Sequence, residues 1–344
     1  MSIYVSISCL YKDKELLNTI RTAKDNAFNG EDIHMGILFI GDLAYKNKID
    51  EEINRLEYKN IKTKFVEFED AIGIYSGRKM AAEMYDGQDY FLQIDAHTFF
   101  LQNWDVDLTR RYKQALKITK NKKTVITGIP GAYGYSDHMP TSVANNATTH
   151  LVKRIKDIWY WQDTGYSYFL KDEWWISEEK CIPRFYDAQV MNIDKRTFKR
   201  VKRKGFAPAI KICAAFIFGD KNLAEDTGID PITFFWEEEI LQSVNLIGNG
   251  FSLVHIGFLG PILHHYSQDS TTKTERLSLI THIFTEETAE MIMKKNYLDY
   301  YNDPKNKTKI KAYEEYAGID LLVGRTGEIK SAKKYANKNM LFVR

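Results

Sequence analysis

Asp95 and His97 stand two positions apart in the stretch QIDAHTFF (93–100), where the apolar run DYFLQID leaves the core. Side chains two apart on an extended chain share a face, so a carboxylate oxygen and an imidazole nitrogen can point the same way. A hard or borderline divalent ion accepts both ligands, and the diphosphate of a nucleotide can fill its remaining positions. The plainer alternative has Asp95 capping the next helix while His97 packs. One D-x-H pair is a weak signal alone, and its place at a strand end strengthens the metal reading.

Other side chains offer matching chemistry. Arg78, in SGRKMAAEMYDG (76–87), lies near the start of a helical pattern and suits either a second cation or a surface ion pair. Ser8, near the end of the stretch IYVSISCL (3–10), and Tyr11, just after it, suit contacts to a base or ribose, though Tyr11 also suits packing. Glu237, Glu238 and Glu239 open a helical pattern, where the helix dipole alone favours acids. His34, His138, His150, His255 and His282 are solitary and read as structural.

The hydrophobic pattern supplies the elements that must position these groups. IYVSISCL, HMGILFIGD (34–42), IKTKFVEFE (61–69) and YFLQID (90–95) read as strands. Between them run helical patterns, including 76–87, expected to start on a Ser76 cap and stop at Gly87. Strands alternating with helices indicate an α/β domain with a largely parallel sheet. Ligands bind outside the carboxyl ends of such strands, where Asp95 and His97 fall. NWDVDLTRRYKQALKIT (103–119) is an amphipathic helix; 123–131, 212–220 and 251–267 return to strand character. The regularity weakens over 132–182, where DIWYWQDTGYSYFLKDEWW (157–175) is either a packed hydrophobic insertion or an aromatic platform for a sugar or acceptor. Beyond about 276 the pattern is helical, with a charged, appendage-like tail.

With 344 residues, 44% apolar and 13% aromatic, the chain can bury a sizeable core. Lys and Arg number 48 against 46 acids, so the total charge implies no general attraction to nucleic acid. The basic run KRTFKRVKRK (195–204) reads as a solvated face or a local polyanion contact. Cys9, Cys181 and Cys213 are too few and scattered for a disulfide framework or zinc site. No leader-like or membrane-spanning stretch is evident, so a soluble, cytoplasmic protein is expected.

The ordered set SIYVSISCLYKDKELLNTI, SGRKMAAEMYDGQDYFLQIDAHTFFLQNWD, AAFIFGD and FFWEEEILQSVNLIGNGF…GPILHHYS resembles glycosyltransferase family 60. These are polypeptide N-acetylglucosaminyltransferases that modify hydroxyproline on a cytoplasmic protein. The likeness covers roughly 3–103 and 212–267. It implies a GT-A (nucleotide-diphospho-sugar transferase) fold over 1–275, with a nucleotide-sugar half (1–131), an acceptor half (132–275) and a helical region (276–344). A UDP-sugar donor and a divalent metal, Mn2+ or Mg2+, are implied with it.

By that resemblance, Asp95 would bridge ribose and metal, and His97 would ligate the metal. His264 matches the late histidine ligand, with His265 as runner-up. Lys12 stands where the family's early motif has Arg, keeping charge but not the bidentate fork. Ala96 and the TFF stretch depart from the family's Ser and MRF, so an arginine is lost. Glu238 and Glu239 match a paired Glu that faces the acceptor.

The resemblance also implies retention of the anomeric configuration, with the Glu pair positioning the acceptor and steadying positive charge on the sugar. The acceptor hydroxyl would sit on a protein or glycan. A hydroxylated DNA base is a second option, kept open by 195–204. A non-catalytic nucleotide-sugar or glycan-binding module is a third. A nucleotidyltransferase would want a Gly-rich loop after the first strand, and SISCLYKDKE has none.

Overall fold

The structure, a computed structural model, describes residues 1–10, 13–71, 73–128, 130–134, 150–155, 158–163, 174–176, 183–185, 206–209, 211–225, 237–256, 260–265, 295–317 and 321. Tyr11, Lys12, the basic run 195–204 and the helical pattern over 276–294 lie outside the described residues. Of the aromatic segment 157–175, only backbone within 158–163 and 174–175 is described.

Four parallel strands form one side of the main sheet, in the order β3 (Ile61–Val66), β2 (Ile33–Ile40), β1 (Ile3–Leu10), β4 (Tyr90–Asp95). The apolar runs of β1, β2 and β4 suit strands buried on both faces, while β3, with alternating lysines, is the half-exposed edge. Beyond β4 the sheet becomes mixed. β13 (Phe216–Asp220) runs antiparallel to both β4 and β6 (Thr124–Thr127), and β14 (Ser252–His255) runs parallel to β6. β12 (Ala207–Pro208) closes the edge against β14.

Strand alternation sends side chains to two cores. Ile3, Val5, Ile7 and Cys9 of β1 join one cluster with Leu16 and Ile20 of α1 (Leu16–Asp25), Ile49 and Ile53 of α2 (Leu43–Arg55), and Trp104 and Leu108 of α4 (Trp104–Thr119). Tyr4 points the other way. It packs with Tyr75 of α3 (Ile74–Ala82), Leu223 of α5 (Lys221–Glu225), Leu241 and Val244 of α6 (Glu237–Gly248), and Ile310 and Tyr313 of α7 (Lys307–Ala317). Each such side chain contributes roughly 1.5–3 kcal/mol of burial free energy, so helices on both faces hold the sheet rigid.

A second sheet stands at the carboxyl end of the first. Its order is β5 (Thr98–Phe100), β15 (Ile262–His264), β7 (Gly131–Gly134), β9 (Ile158–Asp163), β8 (His150–Ile155). A short pair, β10 (Trp174–Ile176) with β11 (Pro183–Phe185), is separate. No described helix is long and apolar enough to cross a membrane.

The limits expected for α3 are corrected. The helix begins at Ile74 behind Gly73, and Ser76 lies inside its first turn, donating its hydroxyl to the Gly73 carbonyl at 2.8 Å. Burying Tyr75 in the second core draws the start upstream of the polar residue that looked like the cap. The helix ends at Ala82, five residues before Gly87. At the C-terminus of α6, Gly250 takes φ +84°, and Phe251 N–H donates to the Leu246 carbonyl at 2.9 Å.

Candidate active site

β1 connects to β2 on one side and lies beside β4 on the other, so a crevice opens at their carboxyl ends where the strand order reverses. The register sets Ser8 of β1 directly beside Asp95, the last residue of β4. Ser8 is half-buried there, with Gly77 of α3 pressed against it. A Cβ at Gly77 would meet the Ser8 hydroxyl at 2.5 Å, so glycine is what lets α3 approach.

The turn after Asp95 is pinned from α1. The Thr19 hydroxyl lies 2.7 Å from the carbonyls of both Ala96 and Thr98 and accepts the Thr98 N–H at 2.9 Å. The Thr98 hydroxyl donates back to the Asp95 carbonyl at 2.8 Å. His97 therefore leaves the turn in one direction. Its Nδ1 lies 2.8 Å from Oδ2 of Asp13, a buried carboxylate just past β1. Pairing of β15 with β5 places His264 opposite Thr98, and the His265 N–H donates to the His97 carbonyl at 3.0 Å.

The two strand ends converge on one constellation. His264 Nε2 is 3.2 Å from Asp95 Oδ2, and the rings of His97 and His264 meet edge to face at 4.6 Å. One ligand atom each from Asp95, His97 and His264 lies within 4.8 Å of the others. Two imidazoles with one carboxylate form a borderline donor set that suits a divalent first-row metal. Burial alone would raise the Asp95 pKa, but Arg78, His264 and His97 outweigh it and hold the carboxyl well below its usual range. The group is therefore ionised, as a ligand must be.

Arg78 ties this constellation to the far side of the crevice. Its Nη2 donates to Asp95 Oδ1 at 2.6 Å, and its Nη1 pairs with Oε2 of Glu238 at the start of α6. The guanidinium is thus a buried brace between two carboxylates. Burial pushes the Glu238 carboxyl up to about 7, against the pull of Arg78. Its other oxygen, Oε1, is buried with no hydrogen-bond partner among the described residues.

Glu239 faces elsewhere. Its Oε2 pairs with Lys211 at 2.6 Å, and its Oε1 accepts the Ala214 N–H at 2.9 Å. Burial would raise its pKa, but Lys211 and that N–H keep it low. The residue fastens α6 to the segment leading into β13.

Ser8, Arg78, Asp95, His97, His264 and Glu238 are therefore gathered at one crevice, while Glu239 sits at its edge in a local ion pair. His265 is not in the three-residue cluster; it stacks on Tyr133 at 5.0 Å, and Tyr133 donates to Glu15 at 3.1 Å. Asp13, Thr19 and Lys211 are contributors that sequence reasoning passed over. Asp13 alone had a legible signal, as the final acid of LYKD at the end of the first strand.

Comparison with known proteins agrees with this architecture. The family model described as Glycosyltransferase (GlcNAc) matches residues 42–296. No curated protein matches by sequence. The crystal structure of GalNAc-T7 with UDP, GalNAc and Mn2+ superposes with a TM-score of 0.51 at 13% identity, covering 98% of this chain and 55% of that one. The chain thus spans just over half of that protein's length. TarS 1–349 from S. aureus gives 0.46 at 11% identity, covering 99% of this chain and 89% of that one. The fold is the α/β GT-A arrangement.

Proposed function

This chain belongs to the Glycosyltransferase (GlcNAc) family, and from that premise we propose that it transfers a sugar from a UDP-sugar to a hydroxyl on a protein or glycan. The observation that carries this reading is the convergence of Asp95, His97 and His264 at the β1/β4 crevice, braced to Glu238 through Arg78. The finer resemblance to family 60, resting on the D-x-H stretch and the late histidine, favours N-acetylglucosamine as the sugar. The solved structure of GalNAc-T7, which holds UDP, GalNAc and Mn2+, supports a UDP-sugar and a divalent ion in a fold of this kind.

In this reading Asp95, His97 and His264 hold Mn2+ or Mg2+, which when bound offsets charge on the diphosphate as it departs. Ser8, beside Asp95, contacts the ribose or base. Tyr11 and Lys12 are proposed for the same nucleotide. The bond between the anomeric carbon and the phosphate oxygen breaks, and the acceptor oxygen bonds that carbon from the same face. The acceptor's proton passes to the departing diphosphate, and bonding from the same face retains the configuration. Arg78 keeps Asp95 ionised and fixes Glu238 by one oxygen. Glu238 Oε1 is left to orient the acceptor hydroxyl or steady positive charge at the sugar, and Glu239 holds α6 in register for that task. Water exclusion by this buried wall strengthens each of these interactions.

The test is release of UDP and free sugar from a panel of UDP-sugars, with and without Mn2+, for the native chain and Asp95→Ala. Metal-dependent turnover of one donor that Asp95→Ala abolishes is the expected result. Turnover surviving in Asp95→Ala would remove this site from the reaction. No turnover and no metal-dependent UDP binding would leave a domain that does not act on nucleotide sugars.

A further inference from the structure

We infer that Asp13 is the positioning residue of the metal cluster, holding His97 in the one tautomer that can serve as a ligand. The inference rests on the metal reading above and concerns a residue outside the cluster itself.

The argument starts from hydrogen-bond arithmetic. Among the described residues the Asp13 carboxylate meets two hydrogen-bonding groups: Oδ2 lies 2.8 Å from His97 Nδ1, and Oδ1 accepts the Glu15 backbone N–H at 2.9 Å. A carboxylate only accepts, so the proton between Asp13 and His97 sits on Nδ1. A neutral imidazole with its proton on Nδ1 carries its lone pair on Nε2. Nε2 is then the nitrogen that His97 presents to a metal shared with Asp95 and His264.

The carboxylate cannot easily turn away. Its side chain is 1% exposed, and the Asp13 backbone carbonyl accepts the hydroxyl of Tyr45 on α2 at 2.5 Å. Thr19 of α1 clamps the turn that carries His97. Both ends of the Asp13–His97 bond are thus anchored on different elements, β1–α1 and β4–β5. A carboxylate behind a ligating histidine fixes the ring's orientation and raises its basicity, and removing such a partner weakens metal affinity by about 10–100-fold.

Two substitutions separate this role from a purely structural one. Asp13→Asn keeps size and one acceptor oxygen, which can still cap the Glu15 N–H. Its second position becomes an NH2 donor facing Nδ1, which favours the tautomer protonated on Nε2 and blocks the ligand. Asp13→Ala removes the acceptor for Glu15 but leaves His97 able to adopt either tautomer. A positioning role therefore ranks Asn as the worse metal binder, whereas a structural capping role ranks Ala as worse.

The experiment measures Mn2+ affinity of the full chain by electron paramagnetic resonance, with the ring 15N shifts of His97 recorded in the metal-free state. Unfolding midpoints are taken alongside. The expected result is a native His97 protonated on Nδ1, and a Mn2+ affinity about 10–100-fold weaker in Asp13→Asn. Asp13→Ala should fall between the two, although it is the less stable variant. Equal Mn2+ affinity in the native chain and a folded Asp13→Asn, or a native His97 protonated on Nε2, overturns the inference. A native chain that binds no Mn2+ overturns the metal reading and this inference with it, and the 15N shifts then show separately whether Asp13 sets the tautomer.

Discussion

Arg78 and Glu238, 160 positions apart in the chain, form a buried ion pair across the crevice. The same guanidinium holds Asp95, so one side chain joins the carboxyl end of β4 to the start of α6. The pair fixes one Glu238 oxygen and leaves the other buried without a partner among the described residues.

Removing the brace leaves two buried carboxylates facing each other. Breaking a buried pair by removing one partner costs about 3–5 kcal/mol, and Arg78→Met should lose stability on that scale in urea unfolding. Arg78→Met combined with Glu238→Gln should recover part of the loss, because one of the stranded charges is gone. A double variant no more stable than the single would show that the pair is not what the crevice depends on.

Glu238 gives the pH dependence an unusual sign. Burial raises its folded pKa to about 7, above an ordinary glutamate value of about 4.3. Between those values the native state holds a proton that the unfolded chain has released. This group's contribution to stability is therefore complete below about pH 4 and is lost as pH rises to about 7. Asp95 and Glu239 have lowered folded values, so their contributions are present above their ordinary range and lost on acidification. Urea midpoints taken at successive pH values should fall through the Glu238 window in the native chain. In Glu238→Gln that fall should vanish while the acid-side loss persists; parallel profiles would refute the assignment.

Adjacent histidines should behave differently. His264→Ala removes a cluster member, and its loss of Mn2+ affinity should exceed the roughly 100-fold upper range for removing a carboxylate behind a ligating histidine. His265→Ala removes a ring stacked on Tyr133 and should leave Mn2+ binding within a few-fold, with a modest loss of stability of about 0.5–1.5 kcal/mol. Titration of Mn2+ into both variants decides it, and equal losses would contradict the geometry.

Thr19→Val keeps shape but strands the buried Thr98 N–H. An unsatisfied buried donor costs about 1–3 kcal/mol, and the D-x-H turn loses its clamp. Thermal unfolding should register the cost, and Mn2+ affinity should fall although no ligand has changed. Unaltered Mn2+ affinity would show that the turn holds itself.

Gly77→Ala adds a methyl where the Ser8 hydroxyl and Ile40 already stand, at 2.5 and 2.8 Å. Helix propensity favours alanine by about 1 kcal/mol, while overpacking costs about 1–3 kcal/mol. The variant should therefore be slightly less stable. It should bind UDP more weakly by calorimetry, because Ser8 has been displaced at the crevice floor. Undiminished UDP binding would place the nucleotide away from Ser8.

Much of this protein is local pattern. The parallel strands, the helices between them and the D-x-H at the end of YFLQID follow from hydrophobic periodicity within a dozen residues, which packing against either face preserves. Ser8 and Asp95 were recognisable as strand-end residues for the same reason. The start of α3 was misjudged because burial of Tyr75, a contact with the second core, outweighs the cap signal of Ser76.

The site's connections are another matter. Neighbouring residues on a strand face opposite ways, so only the register of β15 against β5 decides that His264 joins the cluster while His265 stacks on Tyr133. The same holds for Asp13 behind His97, 84 positions away, and for Arg78 reaching Glu238. By itself the sequence determined which elements form and which side chains could do chemistry. Tertiary structure alone decided which of them meet, because those meetings depend on how distant strands and helices align in one sheet, and no local pattern encodes that alignment.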